Sequence, residues 1–371
     1  MDFVCLQEYL KEGLRITERI SAKQSTLPVL QNILLKTVDT GVLFQATNLE
    51  IGVSTTISAK IKTAGSLVIP AKLLLEAIQT LPNEPIRLFT TKQNPFVLQL
   101  ECGKVSARVN GMTDIEFPTL PKTDTKHAFT LPKTQFFEAI ISLIPIVSPS
   151  EARPELSGIF LSFSENECVI AGTDTFRLGE RRFSVSHSTD SISIIPLQTV
   201  QEIIRIFSPT KEETVVVYME KNHITVEVGK TNLISRLIEG NYPNYAHIIP
   251  TEKKAEFVVD RTRILQQIKS ASIFTSRLND IHIVYEPGTK TISIKSEDPA
   301  KGAFETTIET EEAKGENGSI VFNARYLTDG LEGFKEEKIN ISFSGDGKPG
   351  VLRSIQTVSG KQLYMLMPIN L

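Results

Sequence analysis

A threefold internal repeat restricts what this 371-residue chain can fold into more than any other feature. Each copy opens on a short apolar strand followed by an amphipathic helix, at residues 3–20, 129–144 and 257–274. The opening Phe3, Phe129 and Phe257 are 126 and 128 residues apart. Halfway through each copy comes a second strand-then-helix pair: 66–70 into 73–81, 193–196 into 200–207, and 319–323 into 326–334. Its markers Pro70, Pro196 and Asn323 keep the same spacing, 126 and 127. Two markers holding one period through three copies are hard to obtain by chance. Between the helices, apolar and polar residues alternate as in half-buried strands, for example at 215–219, 224–228 and 291–295. Turn residues separate such strands at Lys221-Asn222, Pro287-Gly288 and Gly345-Asp346-Gly347. The copies end alike, at Phe117-Pro118, Tyr242-Pro243 and Met367-Pro368, with polar connectors at 122–126 and 251–254. The expected fold class is α+β, with three tandem domains (1–123, 124–252 and 253–371), each carrying two helices packed on antiparallel sheet.

Composition narrows the function classes. Hydrophobic residues make up 40% and charged residues 22%, enough apolar material for a packed core. The formal net charge is -3, so bulk positive charge does not hold this protein to nucleic acid or membrane, although a local basic face could. No apolar run reaches the roughly 18 residues of a spanning helix, and Asp2 and Glu8 interrupt any secretory signal. Cys5, Cys102 and Cys168 are scattered and odd in number, which reads as reduced thiols. A soluble, cytoplasmic protein is expected.

Motifs for chemistry are scarce. Gly229-Lys230-Thr231 looks like the end of a phosphate-binding loop, but Ile224 stands where that loop needs glycine, and a hairpin turn is the better reading. His127, His187, His223, His247 and His282 form no His-Glu-x-x-His pattern and pair with no cysteine, so neither metal nor cofactor is expected. A Gly-x-Ser-x-Gly elbow is also missing. Asp174 closes an apolar strand. It reads as a turn residue accepting backbone hydrogen bonds or, less commonly, as a catalytic carboxylate in a cleft with Arg177. Over the helical segments 6–20, 71–80, 133–144, 197–207, 260–275 and 323–334 the formal charges sum to only +1. Solvated helix faces and a nucleic-acid surface both fit that figure.

Four stretches carry a family resemblance: Thr26-Leu27-Pro28-Val29-Leu30; Ala171-Gly172-Thr173-Asp174-Thr175-Phe176-Arg177-Leu178; Leu237-Ile238-Glu239-Gly240-Asn241-Tyr242-Pro243-Asn244-Tyr245; and Met367-Pro368-Ile369-Asn370-Leu371. With the threefold repeat, they make the chain resemble, over its whole length and in order, the bacterial sliding-clamp family, the β subunits of DNA polymerase III. The resemblance implies that two copies close head to tail into a ring, with helices facing duplex DNA and sheets on the outside. It implies no reaction. Expected partners are duplex DNA, a second copy, and the replicative polymerase and clamp loader, which bind through short linear motifs.

The resemblance also implies site residues. The partner-peptide cleft maps to Leu156, Thr173, Thr175, Phe176, Arg177, Leu178, Pro243, His247 and Ile248 from the second repeat. From the third it takes Asn323, Tyr326, Met365, Leu366, Met367, Pro368, Ile369, Asn370 and Leu371. Thr175 and Phe176 stand where many members have Gly-His or Gly-Tyr, and Asn370 replaces a common terminal Arg. DNA-facing residues are Lys11, Arg15, Arg19, Lys23, Gln24, Lys72, Lys133, Ser150, Arg153, Arg205, Arg261, Arg263 and Lys269, with Glu151 in the same loop as Ser150. The dimer seam takes an edge strand near 104–109 and the residues Ala107, Ile273 and Phe274, with Ala107 smaller than the family's usual aromatic. The C-terminal Met-Leu-Met-Pro stretch can wall the cleft or merely close the last sheet.

Overall fold

The computed structural model describes all residues except 22–26, 126, 148–149, 151, 187–189, 356–359 and 370–371. Among the described residues there are six α-helices: α1 (Gln7–Glu18), α2 (Ala71–Gln79), α3 (Lys133–Leu143), α4 (Leu197–Phe207), α5 (Arg261–Ser272) and α6 (Ala324–Gly333). They lie where the repeat predicts. Each starts straight off a strand. Proline stands immediately before α2, α3 and α4 (Pro70, Pro132 and Pro196), where the fixed φ of the ring suits entry into a helix. Side-chain caps do the same work in the third repeat. Asp260 accepts from the Arg263 N–H (2.8 Å), and Asn323 accepts from those of Arg325 and Tyr326 (3.0 and 3.2 Å). One face of α1 buries Leu10, Leu14 and Thr17, and Gly13 brings the helix close against Phe44 and Ile57. Gly229-Lys230 is a hairpin turn between His223–Val228 and Thr231–Arg236, with Gly229 at φ 60°.

The chain packs as two compact units: residues 1–130 with 205–236, and residues 131–204 with 237–371. The middle repeat is thus divided, and the sheets show why. In the first unit, Thr231–Arg236 of the second repeat pairs with Ile51–Ile57 of the first, setting Leu233 opposite Val53 and Ile234 opposite Gly52. In the second unit, Lys361–Leu366 of the third repeat pairs with Arg177–Ser184 of the second, setting Tyr364 opposite Gly179 and Met365 opposite Leu178. Both junctions follow one rule: the last strand of a repeat joins a first-half strand of the repeat before it. At the place where the rule calls for a third junction, the last strand of the first repeat, Val105–Asn110, and the first-half strand of the third, Gly302–Glu309, each lie at an edge, of the first unit's five-stranded sheet and the second unit's four-stranded sheet.

Each repeat also closes the same way. Beyond its last strand the chain returns to the strand preceding the second helix, through Met112 N–H to Val68 O (2.8 Å), Ile238 N–H to Ile194 O (2.9 Å) and Ile369 N–H to Val321 O (2.8 Å). After this bridge, Phe117 seals Leu34 and Val68 in the first repeat, and Tyr242 stacks on Phe160 in the second. Among the described residues no helix is long and apolar enough to cross a membrane.

Candidate functional site

The Thr173–Arg177 turn organises the candidate cleft, which lies inside the second unit. Asp174 accepts from the N–H groups of Phe176 (3.0 Å) and Arg177 (2.9 Å), while the Thr173 hydroxyl donates to Arg177 O (2.6 Å) and accepts from Thr175 N–H (3.1 Å). This double side-chain turn forces Thr175 to φ 77°, which favours glycine. The first repeat makes the same turn with Thr47, Asn48 and Leu49, the last at φ 76°. Asp174 is therefore a turn residue here, and its second oxygen accepts from Arg177 Nε at 2.9 Å.

Arg177 ties three elements together. Besides Asp174, its guanidinium donates to Asp329 of α6 and to Pro145 O beyond α3, both at 2.5 Å, and it lies 4.1 Å from the Tyr326 ring centroid. Burial disfavours its charge, but Asp329 and Asp174 outweigh that and hold its pKa above the usual range. Next to it the Tyr364 hydroxyl donates to Tyr326 O (2.6 Å), and burial pushes its pKa up. A side chain at Gly330 of α6 would collide with the Tyr364 ring, so glycine is what lets the helix sit there. Asp329, Gly330 and Tyr364 carry no signal in a single sequence. They are many positions from Arg177 and match no motif.

The cleft residues separate into rim, floor and frame. Phe176, Ile248 and Met367 are 59%, 56% and 40% exposed, and Thr175, Pro243 and His247 are exposed beside them. Leu178 and Met365 are 0% and 2% exposed. They form a floor with Val351, against which Tyr245 and Ile249 pack. Leu156 is buried as well, and Leu366 faces the interior of the third repeat beside Ile264, Phe322 and Leu327. Thr173, Arg177, Asn323 and Tyr326 frame the site. The terminal stretch takes both roles weighed for it: Lys361–Leu366 is an interior strand, while Met367 N–H donates to Phe176 O (2.8 Å) and leaves its side chain on the rim. Pro368 and Ile369 follow it as half-buried residues, and Asn370 and Leu371 lie outside the described residues.

The basic residues expected to face DNA differ in how they are engaged. Arg15 on α1, Arg19 just beyond it and Arg263 on α5 are exposed. Lys11 donates to Gln7 (2.9 Å), Lys72 approaches Glu76 (4.0 Å), Lys269 pairs with Glu332 (2.6 Å), and Arg261 donates to Glu336 O (2.9 Å). Lys133 lies over the Phe137 ring. Arg205 donates to the carbonyls of Arg15 (2.8 Å) and Ile16 (3.0 Å) in the last turn of α1, where a cation complements the helix dipole. Ser150 N–H donates to Ser157 Oγ, and Arg153 N–H to Ser150 Oγ. Lys23, Gln24 and Glu151 lie outside the described residues. At the expected seam, Ala107 is half-buried on the edge strand, Ile273 is 65% exposed, and Phe274 stacks on Phe304 at 6.0 Å. Among the described residues no group of His, Cys, Asp and Glu could hold a metal ion. Burial pushes the Cys5 thiol up to about 12.

Comparison with known proteins gives one consistent result. Profiles for the DNA polymerase III beta subunit match in order: the N-terminal domain over residues 1–121, the central domain over 130–244 and the C-terminal domain over 246–368. The beta sliding clamp of Staphylococcus aureus is 26% identical over 379 aligned positions, covering 100% of this chain and 99% of the relative. The crystal structure of the DNA polymerase sliding clamp from Bacillus subtilis superposes with a TM-score of 0.93 at 25% identity, covering 100% of this chain and 99% of that one. The beta subunit of the Streptococcus pyogenes DNA polymerase has the same fold, with a TM-score of 0.92 at 22% identity and full coverage of both chains.

Proposed function

The chain belongs to the DNA polymerase III beta subunit family, and from that premise we propose that it is a DNA polymerase processivity factor: a ring-shaped homodimer that encircles duplex DNA and slides without sequence specificity. It tethers the replicative polymerase and the clamp loader through the cleft around Phe176, Ile248 and Met367. The observation that carries the ring is the junction rule. Two junctions built alike leave Val105–Asn110 and Gly302–Glu309 as edge strands, the two halves of a third junction that a second copy completes. Domain limits of 1–123, 124–252 and 253–371 fit this reading, and a cytoplasmic location goes with it. Holding DNA by topology needs only loose backbone contacts, and exposed Arg15, Arg19 and Arg263 can supply them.

The exposed apolar residues Phe176, Ile248 and Met367 suit a short peptide with one or two large apolar side chains, with Leu178 and Met365 closed beneath Tyr245 and Ile249 as their support. Each buried anchor contributes about 1.5–3 kcal/mol, which corresponds to micromolar affinity. No reaction is assigned. Asp174, the carboxylate considered for a catalytic alternative, is held by two backbone N–H groups and Arg177. Fluorescence anisotropy with polymerase and loader peptides tests the cleft. Phe176→Ala and Met367→Ala should each weaken binding about tenfold or more with little change in melting temperature, and unchanged affinity in both would remove this cleft from the account.

A further inference from the structure

We propose, building on the ring dimer above, that Val105–Asn110 of one copy lies antiparallel to Gly302–Glu309 of the other with Ala107 opposite Phe304, so that Phe304 fills a seam slot that position 107 leaves empty. Internal pairings fix the equivalences. Ala46 opposes Val53 in the first repeat, Gly172 opposes Gly179 in the second, and Ser296 opposes Phe304 in the third, so Val53, Gly179 and Phe304 share one position. On the last strands, Leu100 opposes Ala107, Val226 opposes Leu233 and Leu352 opposes Tyr364. The closing bridges agree independently, since Met112, Ile238 and Ile369 stand at the same offset beyond Ala107, Leu233 and Tyr364. The intrachain junctions pair Val53 with Leu233 and Gly179 with Tyr364. The third pair is then Phe304 with Ala107 of the second copy.

Side-chain size at these three pairs is complementary. One junction holds two medium side chains, the next a tyrosine facing no side chain, and the seam a phenylalanine facing a methyl. A Cβ on Gly179 would press on the terminal methyls of Leu143 and Ile146 at the end of α3, which fits a junction whose large group comes from Tyr364. Phe304 leans on Phe274 at the end of α5, the corresponding place in the third repeat. Val53, Leu233 and Tyr364 are buried in their completed junctions, while Phe304 and Ala107 are half-buried at open edges. Charge fits the same register. Lys104 comes opposite Thr307, between Glu305 and Glu309 on one face, and Arg108 comes opposite Ala303, whose small side chain lets it reach Glu297 on the next strand.

Cysteine pairing reads the register, because directly opposed residues in an antiparallel pair have the Cα separation a disulfide needs. Cys5, Cys102 and Cys168 are buried and contribute little background. The double variant Ser106→Cys with Glu305→Cys should give a covalent dimer on mild oxidation, and Ser106→Cys with Thr307→Cys should not. The reverse outcome overturns the register while leaving the ring. A native mass equal to one chain would instead overturn the ring reading itself. The slot is read by exchange: Phe304→Ala should weaken the dimer about a hundredfold, and adding Ala107→Phe should restore most of it. A double variant no tighter than Phe304→Ala overturns the slot assignment.

Discussion

Thr175 stands at φ 77°, a conformation that costs a β-branched residue about 1–2 kcal/mol. Glycine removes that strain at some entropic cost to folding, so Thr175→Gly should stabilise the protein by up to about 1 kcal/mol, and Thr175→Ala should not. Urea denaturation distinguishes the two, and a destabilised glycine variant would mean that the threonine side chain is needed in the turn. A second residue sets an acid dependence. Glu256 is shielded from water, which opposes its charge, but Lys253 (2.5 Å) and Lys314 (2.7 Å) hold its pKa at about 2 against the usual 4.5. Because the folded pKa is the lower one, its contribution is fully present above about pH 4.5 and disappears as the pH falls toward 2. Glu256→Gln should therefore lower the urea midpoint at neutral pH, and the gap to the wild type should close across that window. A gap independent of pH would assign the effect to packing. At this scale the Thr-Asp-x-x-Arg-Leu segment was legible in the sequence, and so was the turn role of Asp174. Asp329, the other acid on Arg177, was not, because an ion pair between distant positions leaves no local pattern.

Elements meet through a few such residues. Arg177 joins the turn carrying Phe176 to α6 and to the end of α3, so the two walls of the cleft are fixed to each other. Arg177→Met should cost about 3–5 kcal/mol, because Asp174 and Asp329 lose their shared cation in a site that is 7% exposed. Calorimetry would show a large drop in melting temperature. A drop of only a degree or two would mean that α6 is held by packing alone. The backbone bridge at Ile369 also argues against truncation as a test of the rim, since removing it opens a closure that all three repeats share. Helix positions were readable because apolar residues recur with the helical period on one face. The sharing of sheets between repeats was not readable. Thr231–Arg236 and Lys361–Leu366 end up inside sheets, while Val105–Asn110 ends at an edge, and no residue pattern in any of the three names the strand it joins.

For the whole molecule, one joining rule used twice within the chain and once between copies accounts for a closed ring without any junction of a new kind. The near-zero charge of the helical segments then becomes an asset. A strongly basic lumen would hold the phosphates and slow sliding, whereas the few exposed arginines proposed to face DNA would let the duplex pass. Retention on DNA of different topology tests this most directly. Protein loaded on a nicked circle by its clamp loader should remain on it through gel filtration at moderate salt and leave within minutes once a single restriction cut linearises the DNA. Without loading, binding should be weak and fall with salt, with a log–log slope of about -0.9 for each phosphate contact. Equal retention on circular and linear DNA would contradict the ring and leave an ordinary binding groove in its place.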